Sequence, residues 1–174
     1  MRHSFYVILI CCLLGGCFFR VWSSSYSSSD YEHLSKAEEY TRQAKYDEAI
    51  TEYQQHIEFR LSRPRPEWEN PHFYKLMIGD LQLQKGDAAT ALKSFEEAEK
   101  AGIDRALVAD RYRSIASWHE KNGRYSEAIQ VLQKYRDRDD LLFDAMMDRL
   151  ARTLSKVEES PKKKAAATPT STPR

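Results

Sequence analysis

The chain has 174 residues, room for one domain or one short repeat array with tails. Hydrophobic residues make up 41% and charged residues 30%, which allows a core beneath a heavily charged surface and suits a helical protein better than a compact α/β enzyme. A formal net charge of +1 removes any global pull toward nucleic acid or anionic membranes, and cysteines confined to Cys11, Cys12 and Cys17 leave the body without a disulfide framework or a thiolate zinc site.

Met1-Arg2-His3 is a short basic start, and residues 5–19 (FYVILICCLLGGCFF) carry no charge. A run of about fifteen residues falls short of the roughly 20 that a membrane-spanning helix needs, so it reads as the apolar region of a secretory signal. The run closes on Leu14-Gly15-Gly16-Cys17, an aliphatic residue, two small residues and a cysteine. This resembles the lipobox of bacterial lipoproteins. The resemblance implies a signal peptide over 1–16 and cleavage before Cys17, whose thiol would take a diacylglyceryl group as the membrane anchor. An uncleaved signal anchor in the inner membrane and simple secretion are the alternatives. Phe18, which follows the cysteine, lacks the acidic side chain linked to inner-membrane retention, and this tilts the expectation toward the outer membrane, facing the periplasm.

Residues 17–29 then form a tether. Ser23-Ser24-Ser25-Tyr26-Ser27-Ser28-Ser29 is polar and of low complexity, and buries too little apolar surface to offset its ordering entropy.

Residues 30–158 are patterned as helices, and the pattern repeats. Ala37, Gly79 and Ala116 are each followed seven residues later by Ala44, Gly86 and Gly123, and five residues after those by Ala49, Ala91 and Ala128. Four residues beyond each alanine comes a large side chain: Tyr53, Phe95 and Leu132. Segments KYDEAITEY, GDAATALKSFEEA and GRYSEAIQVL carry most of this signal, which resembles the tetratricopeptide repeat (TPR) over about residues 31–137. The resemblance implies an all-α solenoid of about three helix-turn-helix repeats. In each, helix A and helix B cross at two small residues, a residue in the left-handed conformation ends helix A, and a large residue fills the gap to the next repeat.

The sequence also departs from the family. Lys36 stands where an aliphatic is preferred, and His56 and Tyr135 fill the small slot near the end of helix B that Ala98 occupies normally. From Ala49 to Ala91 the interval is 42 residues and from Ala91 to Ala128 it is 37, against the usual 34, which lengthens the connections.

Helix ends agree with the register. Ser29 with Glu32 reads as a capping box, Asn70-Pro71 as the start of helix 2A, and Gly86-Asp87 as the end of 2A and cap of 2B. Gly102 and Gly123 read as the ends of later helices. A seventh helix over about 141–157, with Leu142, Met146, Leu150, Leu154 and Val157 on one side, would cover the apolar face that stacked repeats leave open. From 159 the chain turns basic and Pro/Thr/Ala-rich, including Lys162-Lys163-Lys164, and reads as a disordered, solubilising tail.

Catalytic signals are lacking. His33, His56, His72 and His119 share no metal-ligand spacing, and Asp137-Arg138-Asp139-Asp140 lacks the glycine and closing glutamate of a calcium loop, so it reads as a helix end and a new cap. No nucleophile motif can be assembled. No enzyme activity, cofactor, metal, small-molecule substrate or nucleic-acid partner is expected.

In the TPR family, helix A residues line a concave groove. The matched register implies lining by Leu34, Glu38, Thr41 and Arg42 from repeat 1, by Phe73, Leu76, Asp80 and Leu83 from repeat 2, and by Arg113, Ser117, Glu120 and Lys121 from repeat 3. That mixture suits an extended peptide or a helix of a protein partner, with an apolar centre and charged flanks. The lysine/asparagine clamp that grips chaperone C-terminal carboxylates is missing at these positions. The connection 61–69 (LSRPRPEWE) is stiffened by Pro64 and Pro66, and Trp68 within it is expected to pack back onto the helices more than to meet a partner.

Overall fold

A computed structural model describes the backbone of residues 31–166 and the side chains of residues 31–159. The signal segment, Cys17, the tether with Ser29, and the chain beyond residue 166 lie outside the described residues. The fold is all-α and TPR-like, and its contacts divide it at Tyr74 and Lys75 into two compact units.

The described part of unit 1 holds α1 (Glu32–Arg42) and α2 (Tyr46–Leu61), which pack as a hairpin. Ala37 and Ala49 are both fully buried, as helices in close approach require. Tyr53, His56 and Ile57 fill the rest of the interior. The departure at His56 is explained by Tyr74: the imidazole meets its ring edge-on at 4.7 Å, while Tyr53 stacks on the same ring at 5.9 Å. A histidine does here what a small residue and a neighbouring side chain would otherwise share. At its start, α1 has Tyr31 as N-cap with no side-chain capping bond.

Asn70 begins the second repeat by accepting the His72 N–H at 3.1 Å, with Pro71 first in a short 3-10 turn (Pro71–Phe73). That turn leads into α3 (Tyr74–Gln84).

Unit 2 continues with α4 (Ala88–Lys100), α5 (Arg105–Lys121), α6 (Tyr125–Lys134) and α7 (Asp140–Ala166). Its core joins Leu76, Phe95, Val108, Tyr112, Ile115, Leu132, Phe143 and Leu150, all fully buried or nearly so. The small residues Ala91, Ala98, Ala116 and Ala128 are likewise fully buried. Gly79 is the tightest crossing, since a Cβ added there would lie 2.2 Å from Cε1 of Phe95. The turn residues adopt the expected left-handed backbone, with φ of +87° at Gly86 and +72° at Gly123. In repeat 1 the same turn is made by Ala44 at φ 56°, an L-residue in a conformation that favours glycine. Asp87 caps α4 by accepting the Thr90 N–H at 3.0 Å, and Asp139 caps α7 by accepting that of Leu142 at 3.1 Å.

Two expectations need correction. The buried side of α7 is carried by Phe143 and Leu150, whereas Leu142 is 37% and Val157 51% exposed. The helix keeps Met146 and Leu150 of the expected stripe against the core and buries Phe143 in place of Leu142, because burying the Phe143 ring removes more apolar area from water. The helix also runs to Ala166, past the expected helix end at about 157. Lys156, Glu158 and Glu159 precede Pro161, and three lysines with Ala165 and Ala166 follow it, all strong helix formers.

Two substitutions test this packing. Ala44→Gly should raise unfolding stability by about 0.5–1 kcal/mol, the relief of a left-handed L-residue less the extra entropy of glycine. Gly79→Ala should lower it by roughly 1–2 kcal/mol, since overpacking against a fully buried ring outweighs the gain in helix propensity. Urea titrations followed by circular dichroism would check both; a neutral or stabilising Gly79→Ala would refute the close crossing.

Candidate binding face

In unit 2 the expected lining residues sit on α3 and α5, and ion pairs tie these helices to each other and to α7. Asp80 of α3 receives Arg111 of α5 at 3.0 Å, and Arg111 also reaches Asp110 at 3.4 Å. Asp110 in turn pairs with Arg113. Further along α5, Glu120 accepts both terminal nitrogens of Arg149 from α7. The face from α3 through α5 to α7 therefore carries a ladder of alternating charges that are largely neutralised among themselves.

Burial and pairing move two carboxyls of the ladder in opposite directions. Desolvation pushes the Asp80 carboxyl up, against the opposing pull of Arg111. The Glu120 carboxyl is held below the usual range by its hydrogen bonds from Arg149. Nε of Arg111 is buried without a hydrogen-bond partner, so the guanidinium keeps one donor unspent.

The predicted residues divide into three groups. Asp80, Arg113, Ser117, Glu120 and Lys121 lie on the two helices joined by the ladder, with Leu83 half-buried beside them. Leu76 is fully buried in the core and cannot line a groove: Leu76 and Asp80 are one helical turn apart, and the apolar member turns inward. The remaining residues belong to unit 1. There Phe73 is 40% exposed in the 3-10 turn, Leu34 is half-buried and Glu38 is exposed. Thr41 donates back to the Ala37 carbonyl at 2.8 Å, and Arg42 pairs with Glu39 on its own helix. The expected apolar centre is thus thinner than the sequence implied, and paired charge dominates the unit 2 face.

Arg111 and Arg149 join the charge ladder and are not among the lining residues that the sequence implies. A carboxylate flanked by Met77 and Leu83 at helical spacing signals the need for a cation from the next helix, and Arg111 is that cation. Arg149 has no local signal because its partner, Glu120, lies 29 residues away in sequence.

Two concavities lie elsewhere in unit 2. One, of about 650 Å³, is lined by Glu99, Ile103, Arg105, Asp137 and Arg138. Its charges are paired as Arg105 with Asp137 at 3.0 Å and Arg138 with Glu99 at 2.8 Å. The other, of about 360 Å³, is lined by Leu92, Ile115, Trp118, His119 and Arg124. Arg124 stands over the Trp118 ring at 4.8 Å, and burial followed by the Arg124 charge pushes the His119 imidazole down. Among the described residues, no three His, Cys, Asp or Glu side chains converge to hold a metal ion. No described helix is long and apolar enough to cross a membrane.

Comparison with a solved structure gives the same fold. The chain is similar to the TPR2AB domain of yeast Sti1 in its pHSP90 complex, with 18% identity and a TM-score of 0.54 over 75% of this chain. The match covers 49% of the Sti1 chain, so this protein spans about half of that structure. A crystal structure of MamA protein aligns over 83% of this chain and 98% of its own, at 15% identity and a TM-score of 0.33. No protein-family model and no curated protein sequence matches the chain.

The Glu120–Arg149 pair makes a pH prediction. A carboxyl whose pKa is lowered on folding contributes stability that is present above its unfolded pKa and lost as pH falls through the folded value. Wild type should therefore be more stable than Glu120→Gln at neutral pH, and the two should converge on acidification below the ordinary glutamate range. Thermal unfolding across acid pH reads this directly, and a gap that persists in acid would contradict the pairing.

Proposed function

We propose that the chain is a membrane-tethered scaffold of the bacterial cell envelope that binds an extended peptide or a helix of another protein, possessing no catalytic site. The observation that carries this reading is the charge ladder from α3 through α5 to α7, which includes Asp80, Arg113 and Glu120 at helix A positions that line the groove in TPR proteins. Such a ladder offers alternating carboxylate and guanidinium partners at fixed spacing, which a peptide reads by charge order more than by apolar area. The likeness to a Sti1 domain captured in a pHSP90 complex supports a protein ligand of this general kind. The missing lysine/asparagine clamp argues against a chaperone C-terminus as that ligand.

Tethering rests on Leu14-Gly15-Gly16-Cys17 and the serine-rich stretch after it, with the outer membrane favoured. Radiolabelled palmitate should enter the wild type and be lost from Cys17→Ala, with the variant leaving the membrane fraction. Absence of label in both forms, with Met1 retained and the chain still in membranes, would replace the lipid by an uncleaved signal anchor. The binding half is tested by Ser117→Arg with Lys121→Glu, which should weaken capture of the native partner about tenfold or more while leaving the melting temperature unchanged.

A further inference from the structure

The end of unit 1 at which the chain enters α1 carries a built and exposed surface. The short turn between α1 and α2 returns the end of α2 to the start of α1, where His33 meets Phe59 edge-on at 6.2 Å. The connection that follows is firmly held. Arg60, only 3% exposed, donates from Nε and Nη2 to the two carboxylate oxygens of Glu69 at 2.7 and 2.8 Å. Within that clasp the Glu69 N–H donates to the Pro66 carbonyl at 3.1 Å, and Pro64 and Pro66 restrict the backbone. The Arg65 guanidinium closes back on the Leu61 carbonyl at 3.3 Å.

Trp68 does not pack back, contrary to the sequence expectation. It is 77% exposed, and neighbouring Leu61 is 38% exposed. The reason is the clasp: bonding Glu69 to Arg60 at the buried foot of the loop turns the preceding residue outward. Arg63, whose guanidinium lies over the Phe59 ring at 4.1 Å, and Arg65 are exposed on the same loop, beside the exposed Glu67. An indole held outward by a buried ion pair is preorganised for contact, since little ordering remains to be done on binding.

We infer that this end of unit 1 is a contact with the surface of an anionic lipid bilayer. Trp68 and Leu61 seat at the headgroup boundary, and Arg63 and Arg65 meet lipid phosphates. The inference rests on the membrane-tether reading. Three observations select a bilayer as the occupant. Indole, with an apolar body and one N–H donor, partitions to the membrane–water interface, and guanidinium pairs with phosphate oxygens. Arg63 and Arg65 stand on the same short loop as the indole and outnumber its exposed carboxylate, Glu67, two to one. Chain reach supplies the third: Phe19 ends the uncharged run and Tyr31 adjoins α1, a stretch of twelve residues spanning at most about 40 Å. Whatever membrane holds residues 5–19 or a lipid on Cys17 therefore lies within reach of this end.

Full-length protein purified from membranes would be reconstituted in phosphatidylcholine vesicles with and without phosphatidylglycerol, their acyl chains brominated near the headgroup. The emission lost between wild type and Trp68→Phe isolates the Trp68 signal without disturbing the core. In phosphatidylglycerol vesicles that signal should be quenched about twofold or more, and Arg63→Glu with Arg65→Glu or added salt should relieve the quenching. Chains that float with the vesicles while Trp68 stays unquenched would overturn the inference and leave the tether standing, with Trp68 facing water or a protein. Chains that do not float would sink the tether and the inference together.

Discussion

Helices of one repeat share a core only if their backbones come close enough for side chains beyond the crossing to interlock, and the residues at the crossing set that distance. At Gly79 the demand is strictest, because the Phe95 ring occupies the space a methyl group would take. Ala91, Ala98, Ala116 and Ala128 extend the same condition through unit 2, and Ala37 with Ala49 meets it in unit 1. Once these approaches are made, the large residues find their places. Phe95, Tyr112 and Leu132 are fully buried because the small residues leave room for them. The left-handed turns at Gly86 and Gly123 then reverse the chain without lengthening it.

Where the small-residue rule is broken, polar chemistry takes its place. Tyr135 stacks flat on Tyr112 with centroids 3.6 Å apart, and the Tyr112 hydroxyl donates to Glu99 at 2.9 Å. Burial, reinforced by the Glu99 hydrogen bond, pushes the Tyr112 phenol far above its ordinary range and keeps it neutral as a donor. The Tyr135 hydroxyl meets Glu96, which also accepts from Lys134 at 2.9 Å. In unit 1, His56 against Tyr74 and the Arg60–Glu69 clasp answer the same problem with different residues. Polar groups so buried are stabilising only while every partner is present, which makes these sites more demanding of sequence than an alanine would be.

Periodicity was enough to locate the repeats because the spacing of small residues is a direct record of helix crossing. Caps and turns were legible for the same reason: Asp87, Asn70 and Gly123 act through bonds to residues within a few positions. What escaped notice depended on partners distant in sequence. Arg111 is recognisable as part of the ladder only beside Asp80, and Arg149 only beside Glu120. Leu76 was assigned to the groove by register, yet a helix A with apolar residues on several sides turns one of them into the core. Trp68 was expected to seal its loop, and the Arg60–Glu69 pair that turns it outward joins residues nine apart with nothing in their local pattern to announce it. The burial of Phe143 in place of Leu142 on α7 has a similar origin, since the two compete for the same core and only packing decides between them.

The claim that matters most is that the face built from α3, α5 and α7 is where another protein binds. A photoreactive amino acid placed at Ser117, and separately at exposed Gln130 on α6, tests it in living cells. The account predicts one discrete crosslinked protein from Ser117, abolished by charge reversal at Arg111 and Arg149, and none from Gln130. Equal crosslinking from both positions, or a Ser117 adduct indifferent to those charges, would contradict it.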